Sequence, residues 1–282
     1  MAQPGPKTSW EDLAHLGWSQ QQVYNTLNPL RYYTMHGLGD LHLNDVIFPF
    51  NSSYNVTKGD PSSVAAENRQ VTSEPIPVWE YDNSNGSEPY TTVWTDKWST
   101  TSTASLTLTR GPSINLQWSA TIESVADSGF TISMSNDTSE IIEEESTDNL
   151  ERTFEITVPA GETLEILRTE STTKGQSIYI LKYGLNEGND TIPGASIATT
   201  GDPYDGIRNW AFDLNTVLDY PGSKMLFIGL SQSSTFSHEF VRNGDTQKAS
   251  NPVVKVVKSA GKKTAVQYAF PVAIEKSTEG HK

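Results

Sequence analysis

The chain has no cysteine among its 282 residues, which removes disulfides, thiolate nucleophiles and Cys-ligated zinc together. Thiol usage therefore points to neither an oxidising nor a reducing compartment. Charge is sparse and leans one way. Asp, Glu, Lys and Arg make up 19% of the residues, and 34 acids against 20 bases leave a formal net charge of −14. Nucleic acid is excluded as a partner, because phosphate contacts need clustered Lys and Arg. No stretch approaches the ~18 apolar residues of a membrane-spanning helix, and residues 1–10 (MAQPGPKTSW) carry no apolar signal-peptide core. Any route into a bilayer must then be a closed β-barrel, in which every backbone group is paired.

Enzyme motifs are missing as well. There is no G-x-S-x-G elbow, no P-loop and no H-E-x-x-H, so no enzyme and no cofactor is expected. His36, Asp40 and His42 lie close together in a Gly-containing loop. Their spacing is commonplace, and loop polarity accounts for it better than a metal. Carboxylate pairs suited to glycoside hydrolysis exist in any chain with 34 acids and single out nothing. Sequons at Asn51, Asn55, Asn85, Asn136 and Asn189 follow from a composition rich in Ser, Thr and Asn.

That composition is the positive signal. Hydrophobic residues reach only 35%, and the uncharged polar remainder suits pleated strands better than helix interiors. Helices are expected only near the start. Ser9 is a candidate N-cap ahead of Glu11, Asp12, Leu13 and Leu16, ending at Gly17. Ser19 opens a second helix through Val23 and Leu27, with Pro29 shortly after. Residues 30–50 read as loops and short strands, and residues 51–90, rich in Asn, Ser, Pro and Gly, as turns between short strands.

From Thr91 onward the pattern has period two. Trp94, Asp96, Trp98, Ala104, Leu106 and Leu108 alternate with a nearly pure hydroxyl series of Ser and Thr, far beyond the usual strand of about five or six residues. Gly111 and Pro112 interrupt it. Ile114, Leu116, Trp118, Ala120 and Ile122 then resume the same parity, a turn spans 124–129, and Phe130, Ile132 and Met134 return. Phe154, Ile156 and Val158 alternate later, and a break at 159–161 precedes Leu164 and Ile166. Further strands are expected at 177–183, 225–230, 253–257 and 264–272. The fold class is mainly all-β.

The hairpin carries the functional expectation. Each arm, 114–122 and 130–138, spans about nine residues, close to what a tilted strand needs to cross a bilayer, with apolar and polar sides alternating as a membrane barrel requires. One hairpin alone would strand its backbone groups in lipid. Several copies must close a barrel together, so oligomerisation is a requirement of this reading. The acids of 137–155 cluster beside it, and odd-parity Glu143, Glu145 and Glu151 are candidates for a cation-favouring pore lumen. An ordinary β-sandwich hairpin is the competing reading, in a carbohydrate-binding protein without pore activity. A glycosidase is a third.

The order of these features resembles the aerolysin-like β-pore-forming toxin family, in its epsilon-toxin/Mtx2 branch. A Ser/Thr-rich strand (97–109, KWSTTSTASLTLT) precedes an amphipathic hairpin. TVPAGETLEIL (157–167) is similar to the family's turn into an aliphatic strand, and VVKVVKSAGKKTAVQYAFPV (253–272) to its closing hairpin. The resemblance covers 91–275 and implies an elongated molecule: a small α+β head at 1–90 with receptor binding, and a β body at 91–282 with an insertion hairpin at about 113–136. It implies Ile114, Leu116, Trp118, Ala120, Ile122, Phe130, Ile132 and Met134 as the inserting residues. It also implies Tyr32 and Tyr33 as receptor contacts, with Trp79 and Tyr81 a second aromatic concentration that core packing suits equally. The implied partners are a target-cell membrane, a surface receptor (glycan or protein) and further copies of the chain. The implied life history is secretion or release from an intracellular inclusion, and the residues past Lys276 read as a frayed tail in preference to a trimming site. Two departures stand out. Asn136 and Thr138 occupy the lipid-facing parity of the return arm, and the chain runs only a short way past the closing hairpin.

Overall fold

The structure, a computed structural model, describes residues 5–138, 140–188, 194–219 and 222–243, and the backbone of 254–260. The strand expected at 264–272 and most of the closing hairpin lie outside the described residues.

Both N-terminal helices form where their caps predict. In α1 (Trp10–His15) and α2 (Gln20–Leu30), Ser9 and Ser19 each complete a capping box, with Asp12 and Gln22 respectively. The strands follow in chain order: β1 (Leu41–His42), β2 (Asn55–Thr72), β3 (Ile76–Asp82), β4 (Tyr90–Arg110), β5 (Ser119–Ile122), β6 (Ile132–Ser135), β7 (Ile141–Val158), β8 (Thr163–Leu185), β9 (Ser196–Thr199) and β10 (Trp210–Asp213). A short helix, α3 (Leu214–Leu218), precedes β11 (Ser223–Arg242) and β12 (Val254–Ala260). The fold is mainly β, as the composition required. Among the described residues, one sheet runs β12-β7-β4-β11-β8-β2 with β3 also on β8, a second runs β1-β9-β10, and β5 and β6 form a third by themselves.

The 21 residues of β4 and the 18 of β7 bear out the sustained alternation. Along β4, Asp96, Ala104 and Leu106 are buried, and along β7, Arg152, Phe154, Ile156 and Val158 are. The opposite parity holds the hydroxyls, which pair across the two strands: Thr91–Thr157 at 3.1 Å, Thr95–Thr153 at 2.9 Å and Thr101–Thr147 at 3.0 Å. Such cross-strand Thr pairs add about 0.2–1 kcal/mol each.

Residues 51–90 depart from expectation. In place of short strands joined by turns, β2 extends over 18 residues, nearly all of them exposed along its second half. It lies at the end of the sheet order beside β8. An edge strand tolerates Pro61, and Gly59 takes a φ of 72° that glycine adopts without strain. Because β2 has no buried side, hydrophobic periodicity cannot reveal it. The segments expected at 164–166 and 177–183 are one strand, β8, of 23 residues.

By packing, the described residues fall into two units. One takes residues 5–66, 105–142 and 176–229, and the other takes 67–104, 143–175 and the described residues from Leu230 onward. This division interleaves stretches of sequence, whereas the expected head and body were cut once, near residue 90. The second unit has an apolar centre of Phe154, Ile156, Val158, Leu164 and Ile166, flanked by Val78, Trp79, Tyr81, Trp94 and Phe240. Beside it three strands bring charge inside. Asp96 of β4 accepts from Arg168 of β8 through both oxygens at 2.9 Å and from His238 Nε2 of β11 at 2.8 Å. His238 is almost wholly enclosed, between Trp98 and Phe154. Its Nδ1 has no partner, so the tautomer with hydrogen on Nε2 leaves an orphan acceptor rather than an orphan donor. Burial works to raise the Asp96 carboxyl, but the bonds from His238 and Arg168 outweigh it and hold the group below the ordinary carboxylate range.

Removing the shared acceptor leaves the largely covered Arg168 guanidinium and the enclosed His238 Nε2 without their carboxylate. Asp96→Ala is expected to cost about 3–5 kcal/mol in urea unfolding. A loss below about 1 kcal/mol would mean the cluster is hydrated in solution.

Candidate functional site

The segment after β4 behaves as its sequence pattern requires, over a shorter length. β5 and β6 pair Ala120 with Met134 and Ile122 with Ile132. The inward residues Ile114, Leu116, Trp118, Ala120, Ile122, Ile132 and Met134 are all buried, and Phe130 is half-buried. On the other face Thr121 and Ser133 join hydroxyls at 2.8 Å. Parity is thus as expected. The arms, however, hold four paired residues each rather than about nine.

Side chains replace the missing ladder. Asn136 accepts from the Trp118 N–H and donates to the Leu116 carbonyl, both at 2.6 Å, so a residue that breaks the apolar parity acts as a backbone surrogate. The Asn115 N–H goes to Asp12 Oδ1 at 2.9 Å and its carbonyl accepts from Asn55 at 2.7 Å. Tyr183 takes the Ser113 N–H at 3.0 Å, and Tyr179 takes the Ala126 N–H at 2.8 Å. Burial pushes the Asp12 carboxyl up, but hydrogen bonds from Ser9, Asn115 and Asn55 together hold it low.

The tip is strained and tightly seated. Ser124, Ala126 and Asp127 adopt positive φ of 53°, 46° and 60°, a region costly for residues other than glycine. Beneath it lies Gly229 of β11, where an added Cβ would stand 2.8 Å from Val125 Cγ1 and 2.9 Å from the Tyr179 ring. Trp118 meets Phe227 edge-on at 5.7 Å. The hairpin is docked on β8 and β11 through its own apolar side.

A second feature gathers around Tyr32 and Tyr33, which follow α2 with φ of 57° and 61° and are 57% and 75% exposed. Tyr32 stacks on Tyr204 at 4.1 Å and meets Trp210 edge-on at 6.2 Å. Arg31 is fully buried and donates to the carbonyls of Thr200 and, at 2.7 Å, Arg208. It thereby ties this corner to the 200–208 loop. Gly201 is required there, since a Cβ would lie 2.3 Å from the Thr34 carbonyl oxygen. Asp40, expected only as loop polarity, braces the same loop: it accepts from the His36 N–H at 2.6 Å and from Thr200 at 2.8 Å. His36 reaches Asp202 and His42 reaches Asp45 and Thr200, and no three such groups among the described residues converge as metal ligands. Tyr204 and Trp210 escaped the sequence reading, because nothing local marks residues so distant in the chain as neighbours of Tyr32.

Trp79 and Tyr81 lie in the other unit, half-buried against its apolar centre. Tyr81 stacks on Tyr90 at 3.9 Å. Glu143 and Glu145 are exposed on β7, and Glu151 is partly covered.

No protein-family model and no curated protein matches the chain. Among solved structures it is similar to the parasporin-2 toxin of Bacillus thuringiensis, described as recognising cancer cells, with 14% identity, a TM-score of 0.40 and 91% of this chain and 98% of that one covered. It is similar to the Mpp75Aa1.1 β-pore-forming protein of Brevibacillus laterosporus at 16% identity and TM-score 0.36, covering 75% and 73%. The aerolysin-like protein of Bombina maxima follows at 12% and 0.28, covering 67% and 97%.

Two outcomes are expected. A carboxyl held low in the folded state stabilises it above the ordinary Asp value of about 3.9 and ceases to do so as pH falls through the lowered value. Hydrogen exchange across 111–138, corrected for intrinsic rates, should therefore rise on acidification. Asp12→Asn should show the same rise at pH 7, and equal protection in variant and parent would dismiss Asp12 as a latch. Separately, Trp210→Ala, or Tyr32→Ala with Tyr33→Ala, should weaken attachment to susceptible cells by about tenfold while leaving circular dichroism intact. Undiminished attachment would rule out the aromatic corner as the contact.

Proposed function

We propose that the chain is a pore-forming protein that attaches to a target-cell surface, assembles with further copies and contributes one hairpin per copy to a transmembrane β-barrel. The observation that carries this reading is the docked segment 111–138. It has the alternation and length in sequence of a barrel hairpin, yet only four residue pairs join its strands, and beyond them local turn bonds and the side chains of Asp12, Asn55, Asn136, Tyr179 and Tyr183 serve its backbone groups. Unseated from β8 and β11, Ile114, Leu116, Trp118, Ala120, Ile122, Phe130, Ile132 and Met134 would face lipid. The strands could then lengthen toward the roughly nine residues per arm that a bilayer requires. Residues 1–90, with Tyr32 and Tyr33, supply the attachment, to a glycan or protein receptor. The rest of the chain supplies the body.

Glu143, Glu145 and Glu151 would line the lumen of such a barrel, and a repeated carboxylate ring favours cations. The protein acts as a released, water-soluble form at the membrane and makes no covalent change. The exposed stack of Tyr32 on Tyr204 favours one other reading, a carbohydrate-binding protein that attaches without permeabilising.

A covalent lock separates the two. The chain has no cysteine of its own, and Val125 Cγ1 lies within reach of a Gly229 Cβ; the same Cβ stands 2.9 Å from the Tyr179 ring, which must shift to admit it, so Gly229→Cys alone is the control and must release dye like the parent. Val125→Cys with Gly229→Cys should release no dye from receptor-bearing vesicles when oxidised and regain release on reduction. Release by the oxidised form would eliminate hairpin extrusion, and attachment without release by the parent would favour the carbohydrate binder. In planar bilayers the pores should show cation-selective reversal potentials that Glu143→Gln with Glu145→Gln diminishes.

A further inference from the structure

Within the first unit a loop displays bare apolar side chains to water for no internal purpose. Val46, Ile47 and Phe50 are 88%, 71% and 90% exposed, a concentration that marks an interaction surface. The loop is nevertheless built firmly. Asn44, at φ 53°, closes its base by donating to the carbonyls of Thr8 at 2.8 Å and Ser53 at 3.0 Å and accepting from the Ser53 N–H at 2.8 Å. Asp45 accepts from the Ile47 N–H and from His42 Nδ1, each at 2.9 Å, and the His42 ring lies 4.8 Å from that of Phe48.

We infer that residues 44–53 form a lipid anchor that seats in the headgroup region of a zwitterionic bilayer. Three properties favour lipid over a protein occupant. Side chains so nearly bare have little protein around them; a fluid interface can mould around each, whereas a protein would need a matching hollow for each. The run from Val46 to Tyr54 has no charged residue, so nothing there offers the ionic rim typical of a protein contact. The backbone is also prepared for a drier medium. The N–H groups of Ile47, Phe48 and Asn51 are bonded inside the loop, Pro49 has none, and paired amides can enter such a zone without the cost of stranded ones. The net charge of −14 disfavours anionic lipid, which leaves burial of apolar surface as the source of affinity.

The inference rests on the reading of the chain as membrane-acting, and the test keeps the two apart. The probe is protein-free phosphatidylcholine vesicles. Ile47→Cys gives the full chain a single thiol for a polarity-sensitive fluorophore. Emission should shift to the blue on mixing and be quenched by a shallow lipid-borne quencher, while the same label at Val64→Cys, an exposed apolar site on β2, should not respond. Phe50→Asp should reduce vesicle partition by about tenfold or more, and Val64→Asp should not. An unresponsive label at 47, undiminished partition of Phe50→Asp, or a loss of binding confined to protein-bearing membranes would each overturn the anchor. Dye release blocked by the oxidised Val125–Gly229 lock would still uphold the pore in those cases. Intact loop-dependent partition with no release from any membrane would reject the pore and keep the anchor.

Discussion

A backbone N–H or C=O taken out of water must find a partner, and the segment from Gly111 to Thr138 meets that demand by a provisional means. Its neighbours in sequence, β4 and β7, lie side by side in one sheet and are joined by paired threonines. The segment itself keeps a ladder of only four residue pairs. Beyond them, Asp12, Asn55, Asn136, Tyr179 and Tyr183 lend side-chain groups to the backbone. A ladder is cooperative and self-contained, whereas each of these bonds is separate and belongs to a different element. Separate bonds can be released one at a time, and nothing in the hairpin's own alternation is lost when they go.

The apolar side explains why the docked form is stable at all. Seven of the eight inward residues are buried, and the five that are Ile, Leu or Met are each worth roughly 1.5–3 kcal/mol against water. A bilayer offers the same side chains an equally apolar setting. The hydrophobic term therefore does not choose between the body and a membrane barrel. The choice falls to backbone pairing, to the left-handed strain at Ser124, Ala126 and Asp127, and to the fit of Val125 over Gly229.

The second unit follows a different economy. Beside its apolar centre, polar groups complete the interior. Asp96 joins Arg168 and His238 across β4, β8 and β11, a directional geometry that specifies which strands lie together. The aromatic corner of the first unit is specified in the same manner, by a buried Arg31 bonded to carbonyls of a distant loop.

The sequence alone determined the β character, both capped helices, the unusual length of β4 and β7, and the parity of the hairpin. Each rests on a local rule: a cap three residues from its partner, or a period of two that repeats. It did not reveal β2, because an edge strand with no buried side leaves no periodic trace. Nor did it reveal α3, whose five residues are too short to show one. The tertiary structure alone decided that Asn136 ends the hairpin as a backbone surrogate and that Tyr204 and Trp210 join Tyr32. It also decided that Asp96 meets His238, 142 residues away. These are pairings between groups that share no local pattern, and only the folded path of the chain brings them within bonding distance.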